Sequence, residues 1–173
     1  MQNRSMLMLA CGTAVVLVCA VAQASSLSKN DRDFMNSVAT MDMTGAHASE
    51  MAQTKATSSE VKDFAKMLAK DNSESFGHLA ELAAKTGATI PRGINAARIP
   101  AIQGLTNLNG AQFDRQFTKA QIAAEQHALT VFKREAKYGQ NDDLKAYANR
   151  MIPIADNDLK RAQQVWGETS KTK

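Results

Sequence analysis

The strongest constraint on the fold is a repeated spacing. Apolar residues recur every three or four positions through four long segments, near 31–56, 58–86, 110–138 and 142–169, and no alternating run of Val, Ile and Thr occurs anywhere. Ala, Lys, Glu, Gln, Met and Leu dominate these segments, and such side chains lose little rotamer freedom in a helix, so the chain is predicted to be all-α. Start and stop signals fall between the segments. Thr57-Ser58-Ser59-Glu60 offers a capping box, Gly87 followed by Pro91 ends the second segment, Gly139 ends the third, and Asn141 is placed to cap the fourth.

Connection lengths then set the topology. The first and third connections are a few residues each and force antiparallel hairpins, whereas residues 87–109 form a long link containing Pro91 and Pro100. A helix of ~27 residues is about 40 Å long. A link of ~23 extended residues reaches about 75 Å, enough to return to the far end of a bundle. Two hairpins joined by one long crossover make a ferritin-like four-helix bundle. Within the link, Ile99, Ile102, Leu105 and Leu108 have the spacing of a short amphipathic helix that can lie on the bundle.

The N-terminus reads as a secretory signal peptide over residues 1–24. Arg4 precedes the apolar run 7–22, and Ala22-Gln23-Ala24 supplies small residues for cleavage before Ser25. Residues 25–173 are then a single helical domain, placed in the periplasm or secreted. Cys11 and Cys19 both fall in the leader, so the processed chain has no disulfide. Cys11 comes too soon after Arg4, and Cys19 follows the bulky Val18, which argues against a lipid anchor on either. The net charge of +4, one unit of which belongs to Arg4, is spread among interspersed acids and lysines. That pattern gives solubility and does not point to nucleic acid.

Following each stripe at about 100° per residue indicates which polar groups face inward. The first segment gives Phe34, Val38, Met41, Gly45, Ala48, Ala52 and Ala56; the second Val61, Ala65, Leu68, Asn72, Ser75, Leu79 and Leu82. The third gives Phe113, Phe117, Ala120, Ala124, His127, Val131 and Tyr138; the fourth Leu144, Ala148, Met151, Ala155, Asp158, Ala162 and Val165, with a kink expected at Pro153. The two hairpins look like an approximate internal duplication, also visible in Val61-Lys62-x-Phe64-Ala65 beside Leu144-Lys145-x-Tyr147-Ala148.

Asn72, His127 and Asp158 each interrupt an apolar stripe near mid-bundle. One reading is a buried polar cluster whose members hydrogen-bond to one another or to a trapped water. The other is a metal site for iron or manganese, since bundles of this kind place their metals there. Gly45 sits where an inward Glu would be wanted, Asn72 is a poor ligand, and no Glu-x-x-His occurs, so the ligand set is thin. A separate candidate is the outer flank Met43, His47 and Met51 at intervals of four, whose thioether and imidazole groups suit copper, although Met at helical spacing commonly serves packing.

From Asp33 to Trp166 the chain resembles DUF4142, a secreted bacterial family of unknown function often labelled predicted outer membrane protein. The resemblance is carried by Asp33-Phe34, Val61-Lys62-Asp63-Phe64-Ala65-Lys66-Met67-Leu68-Ala69-Lys70-Asp71, Leu105-Thr106-Asn107-Leu108-Asn109-Gly110-Ala111-Gln112-Phe113-Asp114, His127 and Ile152-Pro153. It implies a ferritin-like fold and an envelope or outer-membrane association, with no established activity. The family pattern has Glu at the position of Gly45 and His at those of Asn72 and Asp158, leaving His127 as the retained member.

No residues form a recognisable catalytic set. No Ser or Thr sits in a Gly-rich elbow, and His47, His78 and His127 have no triad context. His78 is spaced to pair with Glu74 on the helix surface. The expectation is a monomeric or weakly dimeric exported binding or envelope-associated protein, without catalysis and without cofactor. The alternative is a redox or storage metalloprotein with iron, manganese or copper.

Overall fold

The computed structural model describes residues 27–171, and the signal-peptide reading, with Cys11 and Cys19, lies outside them. Five α-helices follow one another: α1 (Lys29–Lys55), α2 (Ser59–Thr86), a short α3 (Ile99–Thr106) preceded by a 3-10 turn at Ala96–Arg98, α4 (Gly110–Tyr138) and α5 (Asp142–Thr169). The four long helices lie within two residues of the segments read from periodicity. No strand occurs among the described residues.

Each boundary has a local cause. Ser28 caps α1 by accepting from Asp31 N at 3.1 Å, and Asn141 caps α5 by accepting from Leu144 N at 3.1 Å. At α2 the cap is Ser58, which accepts from Val61 N, and not the Thr57 of the expected box. Thr57 is drawn away by Asp114, as described below. Gly87 ends α2 at φ 68°, where Ala88 N reaches back to Ala83 O at 2.9 Å, a left-handed position that favours glycine. Pro153 sits within α5, which runs on past it to Thr169.

The helices form two antiparallel hairpins, α1 with α2 and α4 with α5, and the hairpins meet through α1 against α4 and α2 against α5. Direction is fixed by contacts at the two ends. Gln140 N, in the α4–α5 turn, donates to Asp31 Oδ1 at 3.0 Å, which puts the start of α1 beside the end of α4. At the opposite end Lys55 Nζ donates to Thr106 O at 2.6 Å and Leu108 O at 3.3 Å, so the link arrives beside the end of α1. The link therefore runs the length of the bundle, as its length requires.

Two apolar clusters fill the bundle, one toward each end. In the first, Phe34, Phe132 and Tyr147 meet pairwise edge to face at 6.2 Å, packed with Met35, Val38, Leu79 and Leu144. In the second, Phe113 stacks on Phe117 at 5.9 Å and Phe64 meets Phe117 edge-on at 6.3 Å, among Val61, Leu68, Ala162 and Val165. The pairs Phe34/Phe113 and Phe64/Tyr147, which the duplication matches, are all buried.

Buried acids fasten the ends. Asp31 accepts from Gln140 N and from Ser28; burial alone would raise its pKa, but these bonds outweigh it and hold the carboxylate low. Glu135 faces it. Burial pushes Glu135 up to about 7, and the neighbouring Asp31 adds to the rise. At the other end Asp114, 3% exposed, accepts from Thr57 N at 3.1 Å, Thr57 Oγ1 at 2.7 Å and Ser58 N at 2.9 Å. One carboxylate thus ties the α1–α2 turn to the start of α4 and satisfies backbone donors that α2 leaves free. Asp114→Ala strands those donors and is expected to lower unfolding free energy by about 1–3 kcal/mol in urea denaturation. Asp114→Asn, which keeps one acceptor oxygen, is expected to cost less.

Candidate functional site

Between the two apolar clusters every long helix turns a polar side chain inward. Asp42 comes from α1, Ser75 from α2, Gln121 and Glu125 from α4, and Asp158 from α5, and all five are buried. They adjoin a cavity of about 810 Å³ that is bounded by all four long helices and, on its outer side, by the link through Arg98, Ile102, Leu105 and Leu108. It opens toward solvent along α4, where Ala120, Ala123, Ala124 and His127 are exposed.

The geometry is most defined on the α1–α2 side. Ser75 Oγ donates to Asp42 Oδ2 at 2.7 Å and lies 2.7 Å from Tyr147 Oη, so the phenol, the hydroxyl and the carboxyl form one buried chain from α5 to α1. Asn72 is half-buried and donates to Leu68 O of its own helix at 2.8 Å. It lies directly against Gly45, where a Cβ would come within 2.8 Å of Asn72 Oδ1. The glycine lets the asparagine fill the volume that any larger residue would take.

Burial raises every carboxyl at this level. Burial pushes Asp42 up to about 7, with the Ser75 bond opposing it. Burial followed by the like charges of Asp158, Asp42 and Asp71 pushes Glu125 up to about 8. Burial and then Asp71 push Asp158 up to about 7. Asp71, half-buried on α2, is raised as well, chiefly by burial. Tyr147 is driven upward by burial and by Asp42 beside it.

Asn72, His127 and Asp158 all line this one cavity, together with Gly45. The expected hydrogen-bonded cluster is not what forms. His127 is exposed at the rim, Asn72 is bonded to its own helix, and no hydrogen bond joins the three. The correction has a simple origin in the phase of α4. Ala120, Ala124, His127 and Tyr138 lie on its exposed side, while the inward stripe is Phe113, Phe117, Gln121, Glu125, Leu129 and Phe132. Following apolar character alone turned the helix about one residue too far, because two of its inward positions are polar. Asp42 was missed for the same reason. The signal that marks them is spacing: Phe113, Phe117, Gln121, Glu125 and Leu129 recur strictly every four residues.

On the flank of α1, Met43 is half-buried, His47 is exposed, and Met51 is half-buried with its sulfur 3.8 Å from the Thr106 hydroxyl of α3. Met51 also packs on the second apolar cluster. His78 lies 3.7 Å from Glu81 and not against Glu74, which pairs with Lys70 at 2.9 Å. Among the described residues no three His, Cys, Asp or Glu side chains converge as a metal-holding set. Among them, too, no helix is long and apolar enough to cross a membrane.

Residues 17–165 match the family described as Domain of unknown function (DUF4142). The chain belongs to this family. No curated protein matches it. Among solved structures, a DUF305 fragment from Deinococcus radiodurans is similar in fold, with a TM-score of 0.73 at 13% identity over 82% of this chain and 98% of that one. CopM in its Cu(II)-bound form has a TM-score of 0.68 at 17% identity, covering 80% of this chain and 96% of the other. CopM in its Ag-bound form has a TM-score of 0.64 at 16% identity over the same shares. These likenesses establish a shared helical-bundle fold.

The raised carboxyls set the sign of the pH response. Acids with folded-state values near 7 to 8, against ordinary values of 3.8 and 4.5, bind more protons folded than unfolded. Stability is therefore present at the acidic end of the window and lost as pH rises from about 4 through 8. The melting temperature is expected to fall between about pH 5 and pH 8, and Glu125→Gln with Asp158→Asn is expected to flatten that slope. A melting temperature that rises across the window would contradict the neutral-acid assignment.

Proposed function

We propose that this protein is an exported, non-catalytic binding protein of the cell envelope that holds a small ligand in the mid-bundle cavity. The carrying observation is the cavity itself, about 810 Å³ and bounded by all four long helices and the link. That volume lies within the ~300–1,000 Å³ typical of small-ligand pockets. Its lining mixes apolar side chains with a few inward polar groups, the composition such pockets use for affinity and orientation. A hydrolytic reading finds little support: Ser75 is 3% exposed and held between Asp42 and Tyr147, with no histidine to activate it. Export and an association with the outer membrane rest on the leader pattern of residues 1–24 and on the DUF4142 resemblance.

Ala124 is exposed at the cavity mouth, so Ala124→Trp obstructs the opening without disturbing the core. A neutral solvatochromic dye such as Nile red is expected to bind saturably and one to one, with fluorescence enhancement largely lost in Ala124→Trp. Dye binding that is weak, non-saturable or indifferent to Ala124→Trp would count against a ligand cavity.

A second reading, metal handling, is favoured by one observation: solved forms of a protein with this fold carry Cu(II) and Ag. Here its candidate ligands are Met43, His47 and Met51 on α1, or Asn72, His127 and Asp158 around the cavity. Three donors along one helix flank hold no closed geometry, so Cu(I) titration against a competing chelator is expected to give only weak binding. Sub-nanomolar affinity that disappears in Met43→Leu with Met51→Leu would move the function to copper.

A further inference from the structure

The floor of the cavity holds a carboxylate oxygen with nothing to bind. Asp158 is 5% exposed, lines the cavity, and has no hydrogen-bond partner at Oδ1. Glu125, 9% exposed on the neighbouring α4, lines the same cavity and feels the like charges of Asp158, Asp42 and Asp71. Buried polar groups are nearly always paired, so an unpartnered carboxyl oxygen on Asp158, with the buried Glu125 beside it, marks a place where a donor arrives from outside.

The surrounding charges define that donor. Facing the two acids are Asp42 from α1 and Asp71 from α2, while the basic groups of the lining, Arg98 of the link and His127 of α4, lie exposed at the rim. Arg150 is engaged over the Tyr147 ring at 5.9 Å. Among the described residues, acids from four helices come to one level with no cation of the lining in their midst. The acids are spread across four helices and do not converge on a point, as the absence of a three-ligand metal set among the described residues shows. A diffuse floor of ionisable carboxyls beneath apolar walls suits a bulky cation better than a compact ion.

Resting on the cavity reading above, we propose that the ligand is an organic ammonium with an apolar body. Its N–H groups donate to the carboxyls of Asp158 and Glu125, and its body lies against Ala120, Ala124, Ile102 and Leu105. The arriving cation favours the ionised carboxyl, so an acid that was neutral in the empty cavity gives its proton to solvent as the pair forms. Binding therefore releases protons and tightens as pH rises through about 6 to 8, until the ammonium itself deprotonates.

Isothermal titration of the purified protein with n-octylammonium chloride and with n-octanol, near pH 7.5, separates charge from apolar fit. The ammonium is expected to bind about tenfold or more tightly than the alcohol, as a charged hydrogen bond would give. Its apparent enthalpy is expected to differ between buffers of unlike ionisation enthalpy, in the direction of proton release. In Asp158→Asn with Glu125→Gln the ratio between the two probes is expected to fall near one, and Asp158→Asn alone, nearly isosteric, to lower it part-way. Equal binding of the two probes by the wild-type protein, or a ratio that survives in the double variant, would overturn the ammonium assignment while leaving the cavity reading in place. If neither probe binds and Nile red fails as well, both readings fall together.

Discussion

The bundle is organised around an interruption of its own core. Two apolar clusters, each built on aromatic side chains, are separated by a level at which Asp42, Ser75, Gln121, Glu125 and Asp158 are buried. A four-helix bundle gains its stability by continuous burial along the seam, and charged carboxyls there would be costly. The resolution is chemical as well as geometric. Asp42 takes a hydrogen bond from Ser75, and burial together with like charges nearby makes ionisation of Glu125 and Asp158 less favourable. The cavity lies at the same level, where small and polar side chains such as Gly45, Ala48, Ser75 and Ala155 face it beside Met41 and Met151.

Such a level is useful only if four helices hold their polar groups in register, and the ends of the bundle supply that. Asp114 grips the α1–α2 turn from the start of α4, and Asp31 grips the α4–α5 turn from the start of α1. Each carboxylate joins one hairpin to the other at an opposite end. Sliding α1 along α4 would break both sets of bonds, so the axial position of Asp42 relative to Glu125 is fixed from two sides. The link contributes through its length: it must travel the full bundle, and in doing so it lays Ile102, Leu105 and Leu108 over the outer side of the cavity.

What could be read from the sequence depended on whether a helix keeps its apolar signal where it faces inward. α2 and α5 do, from Val61 to Leu79 and from Leu144 to Val165 with Asp158 inside, and α1 does at its two ends, Phe34 and Val38 and then Ala48, Ala52 and Ala56, while turning Asp42 inward between them. The crossover was legible because two short connections and one long one leave little choice of topology. α4 was misread at mid-helix, where Gln121 and Glu125 face inward and Ala120, Ala124 and His127 do not. A buried acid whose pKa is raised by its surroundings carries no mark in the sequence, because the surroundings that raise it come from other helices. The site was therefore the least legible part of the fold, and the residues it hides are those that give it chemistry.

Gly45 and Asn72 show how a shared fold can carry a different site. The asparagine side chain lies within 2.8–2.9 Å of where a Cβ on Gly45 would stand, so the two positions are filled as a pair. Any side chain at 45 meets the end of the Asn72 side chain, which has to move aside to admit it. The pair Gly45 and Asn72, with Asp158 across the cavity, leaves a neutral amide and a carboxyl at this level of the bundle. The fold supplies the chamber, but these side chains set what enters it.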